Sequence, residues 1–174
     1  MKNNKQRIGA QELDFELVDL YKSESNKSAT LALHFDTEEL SLICDFTEAV
    51  LEIVAKSNIK HGSVTLFTPH TTTAVVINES ETGYINDFKK KIEELVPSDS
   101  YYEHDDWDLR TENMQEDENV NGRSHVRGTI IGSTGVTLPI INSELIIGRW
   151  QRLFFVELDC ARSRRLFVQT QDLN

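Results

Sequence analysis

At 174 residues, with 39% hydrophobic and 27% charged side chains, the chain has the size and balance of one globular domain. A net charge of −11 excludes a general nucleic-acid binder, because phosphate is repelled unless basic residues cluster, and they cluster once, at Arg162, Arg164 and Arg165. No apolar run reaches the roughly 18–20 residues that span a bilayer, MKNNKQRIGAQ lacks a signal-peptide core, and Cys44 and Cys160 make neither a disulfide framework nor a zinc motif, so a reducing, cytoplasmic setting is expected.

Residues 1–11 read as a flexible tail ahead of a single domain over 12–174. Leu13, Phe15 and Leu17 alternate with acids, which predicts a strand with one covered face. A turn over Lys22–Lys27, an alternating run over Thr30–Phe35 and an apolar piece over Leu40–Cys44 follow. Asp45 and Glu48 have capping-box spacing, and Phe46, Val50, Ile53 and Val54 share one helical face. Ser57-Asn58 and Gly62 signal that helix's end. Val64, Leu66 and Phe67 form a strand that Pro69 turns, and Ala74–Ile77 reads as a strand buried on both sides. A second helix is predicted over Glu81–Val96, with Ile85, Phe88, Ile92 and Leu95 as its stripe and Pro97 as its stop.

Tyr101–His125 has no clean period and reads as a long loop. Loops beyond about 12–15 residues are usually functional or disordered. Tyr101, Tyr102, Trp107, Leu109 and Met114 argue for order, with Trp107 and Leu109 anchoring the loop to the sheet and the acidic Glu112–Asn119 as solvated cover or subunit contact. After His125 the chain reads as strands to its end: Thr129–Ile131, Val136–Ile141, Leu145–Ile147, Leu153–Leu158 and Leu166–Gln169, with hairpin connections at Asn142-Ser143 and Asp159–Arg164. Strands with two embedded helices predict an α+β fold of packed, largely antiparallel strands.

His70, beside Pro69 and three threonines at a strand end, is placed to face a cleft. Asn78-Glu79 either caps the second helix or points into that cleft, and Asp87 is either a boundary residue of the stripe or an orienter of a histidine. His70, His104 and His125 with a carboxylate are suitable donors for a divalent-metal site, although no HxH or HxxxH spacing supports it. His34 and His61 read as structural. Glu157 and Asp159 share a strand face ahead of Arg162, Arg164 and Arg165. That set is either an inter-strand salt-bridge ladder or a fork-like site for phosphate or pyrophosphate.

The order of these segments is specific. His70-Thr71-Thr72-Thr73-Ala74 leads to Asn78-Glu79, Asp87, Tyr102-Glu103-His104, Ser124-His125, Gly148-Arg149-Trp150-Gln151 and Glu157…Arg162-Ser163-Arg164. Over roughly Asp14–Gln171 this resembles the YjbQ family, often described as secondary thiamine-phosphate synthases. The resemblance implies a single α+β domain assembling as a homotrimer, with no nucleic-acid or membrane partner. It implies a transferase that joins a hydroxymethylpyrimidine diphosphate to a thiazole phosphate with loss of pyrophosphate. His70, Asp87, His104, His125 and Glu157 would form the polar site, Arg162 and Arg164 would hold the diphosphate, and Asn78 and Gln151 would be further substrate contacts. A divalent metal, Mg²⁺ or Zn²⁺, would sit on His70, His104 and His125. The alternative is a trimeric metal- and anion-binding protein or metal-assisted hydrolase, because histidines suit Zn²⁺ better than the oxygen-seeking Mg²⁺.

Overall fold

Apolar side chains at every second position fix most of the architecture. Along β10 (Ser163–Asp172) the inward positions Arg164, Leu166, Val168 and Thr170 are all buried. The computed structural model describes residues 4–8, 11–23, 28–37 and 43–173, so the turn expected over 22–27 and the apolar run expected over 40–44 lie largely outside it. β10 occupies the middle of a seven-stranded sheet in the order β1-β2-β3-β10-β5-β7-β8. Its companions are β1 (Asn4–Ile8), β2 (Gln11–Lys22), β3 (Ser28–Asp36), β5 (His61–Phe67), β7 (Gly135–Ile141) and β8 (Glu144–Leu145). A second sheet has the order β4-β9-β6, from Ile43–Asp45, Arg152–Glu157 and Thr73–Asn78. The pairings between described strands are all antiparallel. No helix among the described residues is long and apolar enough to cross a membrane.

The small sheet is covered on both faces, which explains why β9 is buried from Leu153 through Glu157 without alternation. Leu153 and Phe155 face the large sheet and α1 (Thr47–Ser57), in a core shared with Leu33, Phe35, Val50 and Leu166. Phe35 meets Phe155 edge to face at 4.9 Å, the favoured geometry for an aromatic pair. Phe154, Val156 and Leu158 point the other way, against Ile85 of α2 (Thr82–Leu95) and Ile131 of α3 (Gly122–Ile131). The result is one α+β domain in layers.

Several expectations are corrected. Asn4–Ile8, assigned to the tail, pairs with β2 as β1, Ile8 opposite Gln11. The reciprocal capping box at Asp45 and Glu48 is not formed. Asp45 Oδ1 accepts from Thr47 N at 3.0 Å, while Arg152 draws both acids to itself, at 2.8 Å from Asp45 and 2.9 Å from Glu48. A third helix, α3, covers Thr129–Ile131, which β-branching suggested as strand. Tertiary bonds override that propensity: the fully buried Arg127 donates to Val96 O through Nε and Nη2, and Gly132 closes the helix at φ 70°. Residues 158–162 do not close a hairpin within one sheet but carry the chain from the small sheet to the large one. Asn142-Ser143 does form the expected hairpin, with φ values of 53° and 66°.

At one end of the inter-sheet core Glu157, the last residue of β9, faces Arg164, an early residue of β10. They are 0% and 5% exposed, and Arg164 Nε and Nη2 donate to the two carboxylate oxygens at 2.6 Å each. Thr37 Oγ1 at 3.0 Å and Asp159 N at 3.0 Å complete the carboxylate's shell, and Arg164 Nη2 also reaches Thr72 Oγ1 at 3.2 Å. Removing one member strands a buried charge, a loss of about 3–5 kcal/mol, whereas an apolar pair of similar volume is often neutral. Urea unfolding should therefore show Glu157→Ala losing about 3–5 kcal/mol, and Glu157→Leu combined with Arg164→Met recovering most of it. Equal losses in both variants would refute this account of the pair.

Candidate functional site

The connection from β5 to β6 carries His70. Thr73 Oγ1 donates to His70 O at 3.2 Å and so must accept from Thr68 Oγ1 at 2.6 Å, since a hydroxyl has one proton. β5 pairs with β10 only from Phe67 opposite Phe167 onward, leaving the Arg165 amide beyond the last pair on that side. His70 Nε2 accepts from that amide at 3.0 Å. Burial and the nearby cations of Arg164 and Arg165 lower its pKa from 6.5 to about 4. His70 is a neutral ring that finishes a strand's hydrogen bonding.

The start of α3 is capped from far back in the chain. Asp105, in a 3-10 turn over Glu103–Asp105, accepts from Asn121 N at 2.8 Å and Gly122 N at 2.9 Å through Oδ1. A Cβ at Gly122 would lie 2.6 Å from Tyr102 Cβ and 3.1 Å from His104 Cβ, so only glycine admits the turn this closely. That contact places the rings of His104, on the turn, and His125, on α3, with centroids 4.4 Å apart. Both line a cleft of about 680 Å³ with Thr71, Glu103, Arg110 and Glu118.

A chain of bonds orients His104. Asp159, 1% exposed, accepts from Asn121 Nδ2 at 3.0 Å. The Asn121 carbonyl then faces His104 Nε2 at 3.1 Å and favours hydrogen on that nitrogen, while Arg110 Nη1, a donor 3.3 Å away, competes for its lone pair. Glu118 Oε1, 3.4 Å from the same nitrogen, favours the same tautomer and is itself held by Arg110 at 2.7 Å. Arg110 also donates to the carbonyls of His104, Glu112 and Asn113, binding the loop together. Burial first, then the neighbouring His104, lowers the pKa of His125 below its ordinary value. Two imidazoles in contact in an open cleft, one of them neutral through burial, can take up and return protons.

Other expected site residues lie elsewhere or are engaged. Asp87 is exposed, because it sits opposite Ile85 and Phe88 on the helix, and it acts electrostatically on Lys91. Asn78 pairs with Arg152 while Thr73 pairs with Glu157, so strand register puts Asn78 about 17 Å from the Glu157 end. Its Oδ1 accepts from Glu79 N at 2.9 Å. Gln151 precedes Arg152 at that same distant end and closes a turn by accepting from Gly148 N at 2.6 Å. Arg164 is enclosed by Glu157, and Arg162 pairs with Asp159 at 3.1 Å. Among the described residues no three or more His, Cys, Asp or Glu side chains gather to hold a metal ion. With Nε2 of His70 committed to Arg165, the metal set expected of His70, His104 and His125 does not fit.

Asn121, Arg110, Glu118 and Thr71 escaped sequence reading. The available signal was Asn121-Gly122, a pair common in turns whose asparagine is equally a helix-start residue. Trp107 and Leu109 do not anchor the loop, being 42% and 63% exposed; Arg110, Asp105 and the Tyr102 hydroxyl on Pro97 O do so.

Residues 32–172 match the family model for the UPF0047 protein YjbQ-like family. A UPF0047 protein of Archaeoglobus fulgidus is 37% identical over 127 residues, covering 73% of this chain and 89% of its own. One from Methanothermobacter thermautotrophicus is 34% identical over 139 residues, covering 76% and 89%. Among solved structures, a YbjQ-like protein of unknown function from Sulfolobus solfataricus superposes with a TM-score of 0.73 at 30% identity, covering 84% of this chain and 98% of that one.

Two measurements check the histidine assignments. Because His70 titrates at about 4 when folded against 6.5 ordinarily, the unfolded chain binds the extra proton, and this contribution to stability is lost as pH falls from 6.5 to about 4. The melting temperature of His70→Gln, which keeps an acceptor for the Arg165 amide, should fall less over that window than the wild type; parallel curves would exclude the assignment. Nitrogen-15 spectra should show neutral His104 mainly protonated at Nε2, and Asp159→Leu combined with Glu118→Leu should reduce that preference.

Proposed function

This chain belongs to the YjbQ-like family, and on that footing we propose that the His104–His125 cleft is the active site of an enzyme acting on a small phosphorylated substrate. The observation that carries this reading is the unlike histidine pair, one ring held neutral by burial and the other oriented by Asn121, open to a cleft of ligand size. The working reaction is the transferase to which the resemblance points. The bond from the pyrimidine methylene carbon to the diphosphate oxygen breaks, and its electron pair leaves with the diphosphate. The thiazole nitrogen forms the new bond to that carbon. What needs stabilising is the negative charge growing on the leaving group.

Arg162 suits that task better than Arg164. Its side chain is 36% exposed against 5%, and it holds Asp159 by a single contact rather than a bidentate clasp. A proton from the His104–His125 pair to the departing diphosphate would complete the step. No part is assigned to a resident metal, since the histidine set does not fit one.

The working unit in this reading is a homotrimer. Val126 and Ile130, one helical turn apart on α3, are 41% and 51% exposed, an apolar strip that a neighbouring copy would cover. The unpaired thiols of Cys44 and Cys160 suit a reducing cytoplasm.

The purified chain given both substrates, with and without added Mg²⁺, should release pyrophosphate and form the coupled product. His125→Ala and His104→Ala should lower kcat by about 10²–10⁴-fold, and Arg162→Ala should also lower kcat, because the charge it stabilises develops in the transition state. Product no greater than that of His125→Ala would overturn the transferase reading. Light scattering should give the mass of three chains; a monomer would overturn the assembly.

A further inference from the structure

A second cleft, of about 420 Å³, shares no lining residue with the histidine cleft. Three aromatic side chains, Tyr101, Tyr102 and Trp107, line it together with three carboxylates, Asp105, Asp106 and Asp108, and no lysine, arginine or histidine does. Tyr101 and Trp107 are 68% and 42% exposed, with Val120 as the one apolar side chain beside them in the cleft. Large rings at a surface among acids, in a chain of net charge −11, bring electron-rich π-systems beside fixed negative charge.

We infer that this cleft is a binding site for a small organic cation, of the quaternary ammonium or N-alkylated heteroaromatic class. Each ring is kept in place by a bond at its polar end or by the turn itself. The Tyr102 hydroxyl donates to Pro97 O at 2.6 Å, and the Tyr101 hydroxyl donates to Asp106 Oδ2 at 2.6 Å. Asp106 Oδ1 accepts from Asp108 N at 3.1 Å, which folds the turn that carries Trp107. Donation into a carboxylate enriches the Tyr101 ring in electrons, strengthening the attraction of its face for a cation. The same bond pushes the phenol pKa up to about 12, so the ring stays protonated throughout the working range.

The carboxylates divide the work. Asp105 is spent on the amides of Asn121 and Gly122, and Asp106 on Tyr101 and Asp108 N. Asp108 is exposed and forms no ion pair among the described residues, so its charge is available to the guest. An inorganic cation would prefer a ring of oxygens. A cation clothed in methyl groups or carried on an aromatic ring gains from the ring faces as well as from the field, the logic of aromatic cages. The site is independent of the proposed reaction at the histidines.

The chain has two tryptophans, so Trp150→Phe leaves Trp107 as the sole reporter. Its emission should change saturably with tetramethylammonium chloride. It should not do so with sodium chloride at equal ionic strength, nor with neopentyl alcohol, the neutral molecule of matching shape. Tyr101→Leu and Asp108→Asn should each raise the half-saturating concentration about fivefold to tenfold. Both residues are exposed, and far-UV circular dichroism will verify that the variants fold. No saturable change, an equal response to the neutral alcohol, or unaltered binding in both variants would overturn the inference. So would emission that tracks protein concentration alone, which would mean that a second copy covers the rings.

Discussion

The buried ion pair between Glu157 and Arg164 is the constraint from which the functional end of the molecule follows. Arg164 takes the first inward place in a row otherwise filled by Leu166, Val168 and Thr170, where a charge is admissible only if fully matched. Glu157 matches it with both oxygens and is itself completed by Thr37 and the Asp159 amide. The clasp joins the two sheets at the crossover between them and presents Asp159 to Asn121. Two leucines could fill the same space, but they would not organise a threonine, an amide and a second carboxylate around one corner.

From that corner the polar order passes outward through a chain of bonds. Asp159 accepts, so Asn121 donates and turns its carbonyl to His104. One negative charge at the edge of the core thus helps to orient a ring in the cleft, where Arg110 and Glu118 also act on it. His125 needs no such chain, because burial and its neighbour keep it neutral. His70, placed by the sequence to face a cleft, serves the sheet instead, and its low pKa comes first from burial and then from Arg164, the cation that clasps Glu157, and from Arg165.

What could be read from the sequence was whatever local periodicity controls. β3, β5, β6, β9 and β10 follow alternation or unbroken apolarity, and α1 and α2 follow the 3.6 period, α2 with its start and stop residues in place and α1 without its expected cap. α3 was hidden because its last turn, Thr129-Ile130-Ile131, prefers strand, and because its cap, Asp105, lies 17 residues upstream of Gly122. His104 and His125 could be named as a site from composition, but their contact depends on a glycine whose role appears only in three dimensions. Asp87 misled because adjacency to an apolar stripe is not the same as facing it. Asn78 and Gln151 misled because residue type says nothing about which end of a strand a side chain occupies.

The bond from Asp105 to the first amides of α3 also divides the long loop into parts with different freedoms. The turn and the helix start form one rigid unit, and the outer arc between Arg110 and Glu118 merely joins points already held together. Closing an arc whose ends are fixed costs entropy only as the logarithm of its length, about 0.6 kcal/mol for each doubling. Residues 114–117, which neither line the cleft nor hold Arg110, can therefore be lengthened or recharged at small thermodynamic cost while the two imidazoles keep their separation. The acidic arc is the part of this protein on which surface properties can diverge without disturbing the histidine pair beneath.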